Sequence, residues 1–160
     1  MKYDVSLTQV ESQYLAVVRA TVNRQNLGAT IREILTKSEI YTFIKNAGVE
    51  KAGHNVMVYH NDQNKPLGSQ VNEFVLEVGV QVAGAFEGNG QVNCSSTPQG
   101  TVATTLHIGP YYQLGLAHDA VQDWSKANHY SLTGLSWEVY GDWNKDPNKM
   151  TTEVCYLVAS

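Results

Sequence analysis

An internal duplication limits the fold of this chain more than any other feature of its sequence. The segment LEVGVQVA at residues 76–83 aligns with TEVCYLVA at residues 152–159, with four identities in eight positions. The segments before each copy correspond as well, because NVMVYHN at residues 55–61 aligns with SWEVYGD at residues 136–142. All four segments are rich in valine or tyrosine and are bounded by polar turn residues, which predicts β-strands.

A strand and a helix are predicted upstream of each strand pair. In the first half, SQYLAVVRATV at residues 12–22 is β-branched and aromatic. The apolar residues of 31–48 then recur near the helical period, and Gly48 stands where a C-terminal cap belongs. In the second half, a strand at residues 100–109 is followed by a helix at residues 111–128. Each half therefore has the order strand, helix, strand, strand.

The two halves, at about residues 1–87 and 98–160, predict a single α+β domain over residues 1–160. We expect a mainly antiparallel sheet with two helices on one face and a ligand cleft on the other. The polar residues 61–70 are expected to link the paired strands of the first half. Residues 88–100 are expected to bridge the halves and to include a short edge strand at 91–95.

Composition and charge exclude several classes of function. The formal net charge of −4 comes from scattered acidic residues without a basic run, so direct binding of nucleic acid is not expected. No apolar stretch reaches the roughly 20 residues that span a bilayer, and the N-terminus lacks a signal-peptide pattern; we expect a cytoplasmic protein without membrane contact. The two cysteines form no C-x-x-C pair and the five histidines show no ligand spacing, so neither a disulfide, a metal nor another cofactor is expected.

The segment SWEVYGDW at residues 136–143 contains the strongest candidate for a functional site. Side chains alternate along a strand, so Glu138 and Tyr140 share one face while Trp137 and Val139 share the other. The Trp137 set is the more apolar, and we expect it to lie under the helices. Glu138 and Tyr140 would then point to the uncovered face of the sheet.

The repeat supplies a second wall for this candidate site. Met57 and Tyr59 align with Glu138 and Tyr140, so these four residues are expected to line a cleft between the halves. Apolar and aromatic walls with one placed acid are typical of a small-molecule site. Each side chain also has a structural interpretation, in which the acid is solvated and the tyrosines fill the sheet.

Two further aromatic residues are candidates for the same site. Tyr111 follows Gly109 and Pro110 at the start of the second helix, where it either lines the cleft or packs against the helix start. Trp143 either covers the cleft or covers the edge of the core, and the second role is preferred.

Four motifs, in this order over nearly the whole chain, carry a family resemblance. They are HIGPYYQL at 107–114, QDW at 122–124, WEVYGDWNKDP at 137–147 and TEVCYLV at 152–158. The chain resembles the GyrI-like or effector-binding domain family, which includes the ligand-binding halves of multidrug-responsive transcription regulators and stand-alone proteins. The resemblance implies a tandem strand-helix-strand-strand fold and an aromatic cleft with a central acid, matched here by Glu138.

The resemblance also bears on partners. In the multidrug-responsive members the cleft acid attracts lipophilic cations, which implies an aromatic, cationic small-molecule ligand here. The chain starts directly in its first strand, which leaves no room for the helix-turn-helix segment of such regulators. We therefore expect a sensing domain without its own DNA-binding region.

Three functions remain open at this point. The preferred one is a non-enzymatic binder with Glu138, Tyr140, Tyr59, Met57, Tyr111 and Trp143 as ligand-binding residues. The second is a hydrolase of strained, cyclopropane-bearing genotoxic compounds, in which Glu138 is catalytic together with a tyrosine. The third, also implied by the family, is an inhibitor that binds gyrase. The sequence contains no nucleophile motif, which favours binding over chemistry.

Overall fold

The computed structural model describes residues 2–23, 25–37, 39–61 and 73–160. Most of the predicted 61–70 link lies outside these residues. The strands are β1 (Ser6–Val10), β2 (Tyr14–Val22), β3 (Lys51–His60), β4 (Phe74–Val82), β5 (Asn93–Ser96), β6 (Gly100–Ile108), β7 (Leu132–Tyr140) and β8 (Thr151–Val158). The helices are α1 (Leu27–Lys37), α2 (Glu39–Ala47) and α3 (Leu114–Ala127), with short 3-10 turns at Tyr111–Gln113 and Pro147–Lys149.

The strands form one eight-stranded antiparallel sheet in the order β1-β6-β8-β7-β3-β4-β2-β5. The first half contributes β2, β3 and β4 and the second half β6, β7 and β8, so the order is symmetric about the β3–β7 pair. This confirms the predicted α+β fold with a mainly antiparallel sheet. Because β3 and β7 pair at the centre, the aligned segments of the two repeats are direct neighbours.

The first-half helix differs from its prediction. Two helices, α1 and α2, replace the single one expected at residues 31–48, and the first begins earlier, at Leu27. Asn26 precedes it and its carbonyl accepts the Thr30 N–H at 2.9 Å, which starts the helical hydrogen bonding. Gly48 has φ +70°, in the left-handed region that a C-terminal glycine cap requires, as expected.

The edges of the sheet hold two short strands. β5 confirms the edge strand expected in the bridging segment and pairs with β2, whereas β1 pairs with β6 and was not predicted. Four of the five β1 residues are exposed, so β1 lacks the alternation of apolar and polar residues that indicates a strand. Each edge strand precedes one half in sequence but pairs with the other half, which ties the two together.

All three helices cover the same face of the sheet, as predicted. Helix α1 packs on β2 and β4 through Ile31 and Ile34, and α2 continues this contact with Ile40 and Ile44. Helix α3 packs on β6 and β8, where Val121 is fully buried. Among the described residues, no helix is long and apolar enough to cross a membrane.

The opposite face of the sheet buries its own apolar cluster. Trp137, Val58 and Cys155, on three neighbouring strands, are each at most 3% exposed. Leu15 and Val17 of β2 belong to the same cluster, which includes no helical residue. This face is therefore a packed layer of strand side chains, rather than the ligand cleft predicted for the face away from the helices.

Candidate functional site

Glu138 lies at the centre of the sheet, where the two repeats meet. In the antiparallel register of β3 and β7, Met57 is directly opposite Glu138 and Tyr59 is opposite Ser136. Glu138 is 3% exposed and Met57 is 2% exposed. The four residues expected to line one cleft, Met57, Tyr59, Glu138 and Tyr140, therefore share one face.

That face is the helix-covered one, so the predicted orientation of β7 was wrong. His118 of α3 contacts Glu138, while Tyr140 and Tyr59 pack beside residues of α1. Trp137, expected under the helices, lies in the strand cluster of the opposite face. Alternation separates the two sets of side chains correctly, but both sets contain large apolar residues, and apolarity alone did not identify the set beneath the helices.

Three donors surround the Glu138 carboxylate. The hydroxyls of Tyr59 and Tyr140 donate to Oε1 at 2.6 and 2.5 Å. The Nε2 atom of His118 is 2.6 Å from Oε2. The acid is therefore paired in the free protein, although it is almost completely removed from solvent.

These contacts set the protonation of the group. Burial raises the pKa of the Glu138 carboxyl, but the hydrogen bond and charge of His118, with the two tyrosine hydroxyls, outweigh burial and hold that pKa below its ordinary value. Burial and the Glu138 charge raise the pKa values of Tyr59 and Tyr140 well above the ordinary tyrosine value. At neutral pH the cluster consists of one carboxylate and two neutral phenols.

His118 continues the network into β8. Its Nδ1 atom is 2.7 Å from the hydroxyl of Tyr156, which also accepts the Gln122 Nε2 amide at 3.0 Å. Burial raises the pKa of Tyr156 to about 12, with a smaller contribution from the Glu138 charge, so this hydroxyl also stays neutral. The Tyr59 ring stands edge-on to the imidazole at 6.0 Å.

Tyr140 connects the buried cluster to an open pocket. Its ring meets Tyr111 edge-on at 5.2 Å, and Tyr111 is 44% exposed. Tyr140 also lines a pocket of about 350 Å³, and Trp143 forms another part of the wall of this pocket. The pocket is also lined by Lys51, Gly53, His54, Asn55, Gly141 and Asp142.

The preferred role of Trp143, covering the edge of the core, is wrong. Its side chain is 79% exposed and it borders the pocket together with Tyr140. His54 and Asp142, which also line this pocket, pair at 2.9 Å. A larger pocket of about 610 Å³, between α2 and the turn before β5, contacts none of the predicted site residues.

Sequence reasoning missed His118 and Tyr156, although a signal for both is present. His118 follows Leu114 by four residues and precedes Val121 by three, so it lies on the sheet-facing side of α3. Tyr156 follows Val154 by two residues in β8, which places it on the same face. The five histidines lack metal-ligand spacing, but the helical spacing of His118 indicates that its ring faces the sheet.

Comparison with known proteins assigns the chain to a family. The model of the GyrI-like small molecule binding domain matches residues 3–159, and the chain belongs to this family. A comparison with curated protein sequences finds no match.

Solved structures of similar fold include the C-terminal domain of EcmrR, with a TM-score of 0.79 and 21% identity over 100% of this chain and 99% of that one. In EcmrR bound to DNA, the match covers 99% of this chain and 58% of the EcmrR chain, with TM-score 0.77 and 21% identity. SAV2435 bound to tetraphenylphosphonium has a TM-score of 0.70 and 12% identity over 100% and 95% of the chains. A hydrolase from Listeria innocua has a TM-score of 0.60 and 11% identity over 97% and 91%.

Proposed function

We propose that this domain binds aromatic, cationic small molecules at the cluster around Glu138. The observation that carries the proposal is an ionised carboxylate, 3% exposed, whose partners are two phenols and one imidazole rather than a permanent cation. A ligand cation gains from such a carboxylate because the surrounding space is poorly solvated. The rings of Tyr59, Tyr140 and Tyr111 add surfaces that attract a cation.

The route to Glu138 starts at the pocket beside Tyr140. Tyr140 is the residue that belongs both to this pocket and to the Glu138 cluster. Met57 supplies an apolar floor beside the acid, and Trp143 an exposed wall at the entrance. A ligand that binds at the carboxylate must replace at least one of its three hydrogen-bond donors. Tyr140 is the donor nearest to the entrance.

A structural neighbour supports the choice of ligand class. SAV2435 is bound to tetraphenylphosphonium, an aromatic cation, and has the same fold over the whole of this chain. The compound combines four phenyl rings with a permanent positive charge, so its charge does not depend on pH. It is therefore a suitable probe for this site.

The proposal is tested by titrating tetraphenylphosphonium into wild-type protein and into Glu138→Gln. Glutamine keeps the shape and an acceptor for the tyrosines but removes the charge. We expect the affinity to fall at least about tenfold, equivalent to about 1.4 kcal/mol. Calorimetry gives the dissociation constant, and circular dichroism checks the fold.

Glu77→Gln is the matched control, because Glu77 is a second glutamate, 1% exposed, on the opposite face of the sheet. It should leave the affinity unchanged. Equal affinity of the wild type and Glu138→Gln would refute the role of the acid, and an equal loss in both variants would show a general effect of destabilisation.

A hydrolase is the second candidate, favoured by the contact between Glu138 and His118. A carboxylate joined to an imidazole can take a proton from water and return it, while a tyrosine hydroxyl polarises the electrophile. Turnover of a cyclopropane-bearing compound, lost in a folded Glu138→Gln variant, would support this candidate over simple binding. Binding of the same compound without product would exclude it.

A further inference from the structure

His118 occupies the position against Glu138 that a ligand cation would need. It lies in the first half of α3, and its side chain is 19% exposed. The 2.6 Å contact between Nε2 and Oε2 is slightly shorter than the roughly 2.7–2.9 Å of charge-assisted N–H···O bonds, and it is shorter still than the usual neutral N–H···O bond. The geometry fits an imidazolium paired with a carboxylate.

The Tyr156 hydroxyl can form a hydrogen bond with the His118 ring in both protonation states of the ring. When the ring is charged, Nδ1–H donates to the Tyr156 hydroxyl; when the ring is neutral, the same hydroxyl rotates and donates to Nδ1. Gln122 donates to the Tyr156 oxygen in either case. The ring can therefore lose its proton without leaving a polar atom unpaired.

Few other groups near the ring can change charge. The titratable and charged groups that face it are Glu138 on β7, Tyr156 on β8 and Tyr59 on β3, with Asp119 beside it on α3. Both tyrosines have raised pKa values and remain neutral. Histidine is the side chain that ordinarily changes charge between about pH 5 and 8. His118 is thus the member of this cluster whose ring can take up or lose a proton while it keeps its hydrogen bonds.

Charge balance then links the ligand to this proton. With His118 protonated, the cluster of imidazolium and carboxylate is neutral. A second cation in the same poorly solvated space leaves one uncompensated positive charge beside another, and like charges at this range repel strongly. Loss of the His118 proton to solvent restores neutrality, because the ligand cation replaces the imidazolium charge.

We propose that His118 is a specificity-determining residue, which occupies the cation position in the free protein, and that a cationic ligand binds in exchange for its proton. The inference rests on the proposed function of the Glu138 site. One ligand cation enters as one proton leaves to the buffer, so the complex has the same total charge as the free protein. A neutral aromatic ligand leaves His118 protonated and binds without releasing a proton.

The experiment is calorimetry with tetraphenylphosphonium in two buffers of different ionisation enthalpy at one pH near 6, where imidazoles are mostly protonated. The difference between the two heats gives the number of protons released. We expect close to one proton for the wild type. The affinity should rise with pH, by up to about tenfold per unit, and level off above the histidine range.

Two comparisons isolate His118. Triphenylphosphine oxide, an uncharged aromatic probe, should bind without proton release and with an affinity independent of pH. His118→Gln should bind tetraphenylphosphonium without proton release and more tightly than the wild type near pH 6. His60→Gln is the matched control, because His60 pairs with the buried Glu77 on the opposite face at 2.9 Å; it should release the proton as the wild type does.

The outcomes separate this inference from the proposed function. Binding of tetraphenylphosphonium to the wild type without proton release, or release that persists in His118→Gln, overturns the role of His118 and leaves the Glu138 site standing. Absence of binding at every pH overturns both. The wild-type measurement needs no variant, so the test remains decisive even if His118→Gln does not fold.

Discussion

Glu77 and Glu138 are two buried glutamates on opposite faces of one sheet, and they differ in what holds them. Glu77 on β4 is 1% exposed and Glu138 on β7 is 3% exposed. Glu77 is bonded to Arg19 at 2.8 Å, to His60 at 2.9 Å and to Ser95 at 3.1 Å. Glu138 is bonded instead to two tyrosines and His118.

Glu77 forms an ion pair with Arg19 that has a structural role. Arg19 lies directly opposite Glu77 on β2 and stays charged at any ordinary pH. Burial raises the pKa of the Glu77 carboxyl, but the bonds from His60, Arg19 and Ser95 outweigh burial and lower that pKa to about 2. A ligand cation would have to displace a permanent one, so burial of an acid does not by itself indicate a binding site.

The Glu138 cluster lacks a permanent cation among the described residues that contact it. Its phenols are neutral and its imidazole can lose a proton, so these donors can be replaced more easily than an arginine. The comparison predicts that changes on the Trp137 face affect stability and leave ligand affinity unchanged. Changes around Glu138 should alter ligand affinity.

The largest expected effect is that of Trp137→Ala. The side chain is 3% exposed in the strand cluster, so its removal should lower the free energy of unfolding by about 3–5 kcal/mol. Urea unfolding measures this loss. The milder Trp137→Phe, tested below its unfolding transition, should bind tetraphenylphosphonium with wild-type affinity, and a tenfold weaker affinity would contradict the separation of the two faces.

A smaller effect is expected for Arg19→Met, which keeps the apolar stem and removes the charge. Loss of this bond to a buried carboxylate should cost about 2 kcal/mol at neutral pH. The folded pKa of Glu77, about 2, lies below its ordinary value of 4.5, so its stabilisation is full above pH 4.5 and is lost as the pH falls towards 2. The difference between the variant and the wild type should therefore shrink over that range.

Urea unfolding at several pH values measures the Arg19→Met effect. Lys37→Met is the matched control, because Lys37 pairs with Glu33 on the surface of α1 and both side chains are more than half exposed. Lys37→Met should lower the free energy of unfolding much less than Arg19→Met does, because an exposed ion pair contributes little to stability. An equal loss of unfolding free energy in both variants would show that burial of Glu77 does not strengthen its ion pair with Arg19.

The smallest expected effect is a gain in stability from Thr152→Val. Thr152 is fully buried on the helix-covered face, and its hydroxyl has no hydrogen-bond partner among the described residues. Valine has nearly the same shape without the unpaired hydroxyl, so the free energy of unfolding should rise by about 1 kcal/mol. Thermal unfolding measures the change, and a loss of stability would show that the hydroxyl is bonded in solution.

Much of the fold was predictable from local patterns. The duplicated segments gave the two units, and the repeat alignment of Met57 with Glu138 corresponds to their direct pairing across β3 and β7. Alternation correctly grouped Glu138 with Tyr140. The edge strand β1 escaped detection, because its mostly exposed residues carry no apolar period.

The sequence by itself determined which side chains share a face, because a strand alternates with a period of two residues and a helix with a period of 3.6. The tertiary structure alone decided which face the helices cover and which groups pair with the two glutamates. His118 reaches Glu138 from 20 residues away, and Arg19 reaches Glu77 across 58 residues. Such pairs depend on how distant segments pack together, and no local period encodes that.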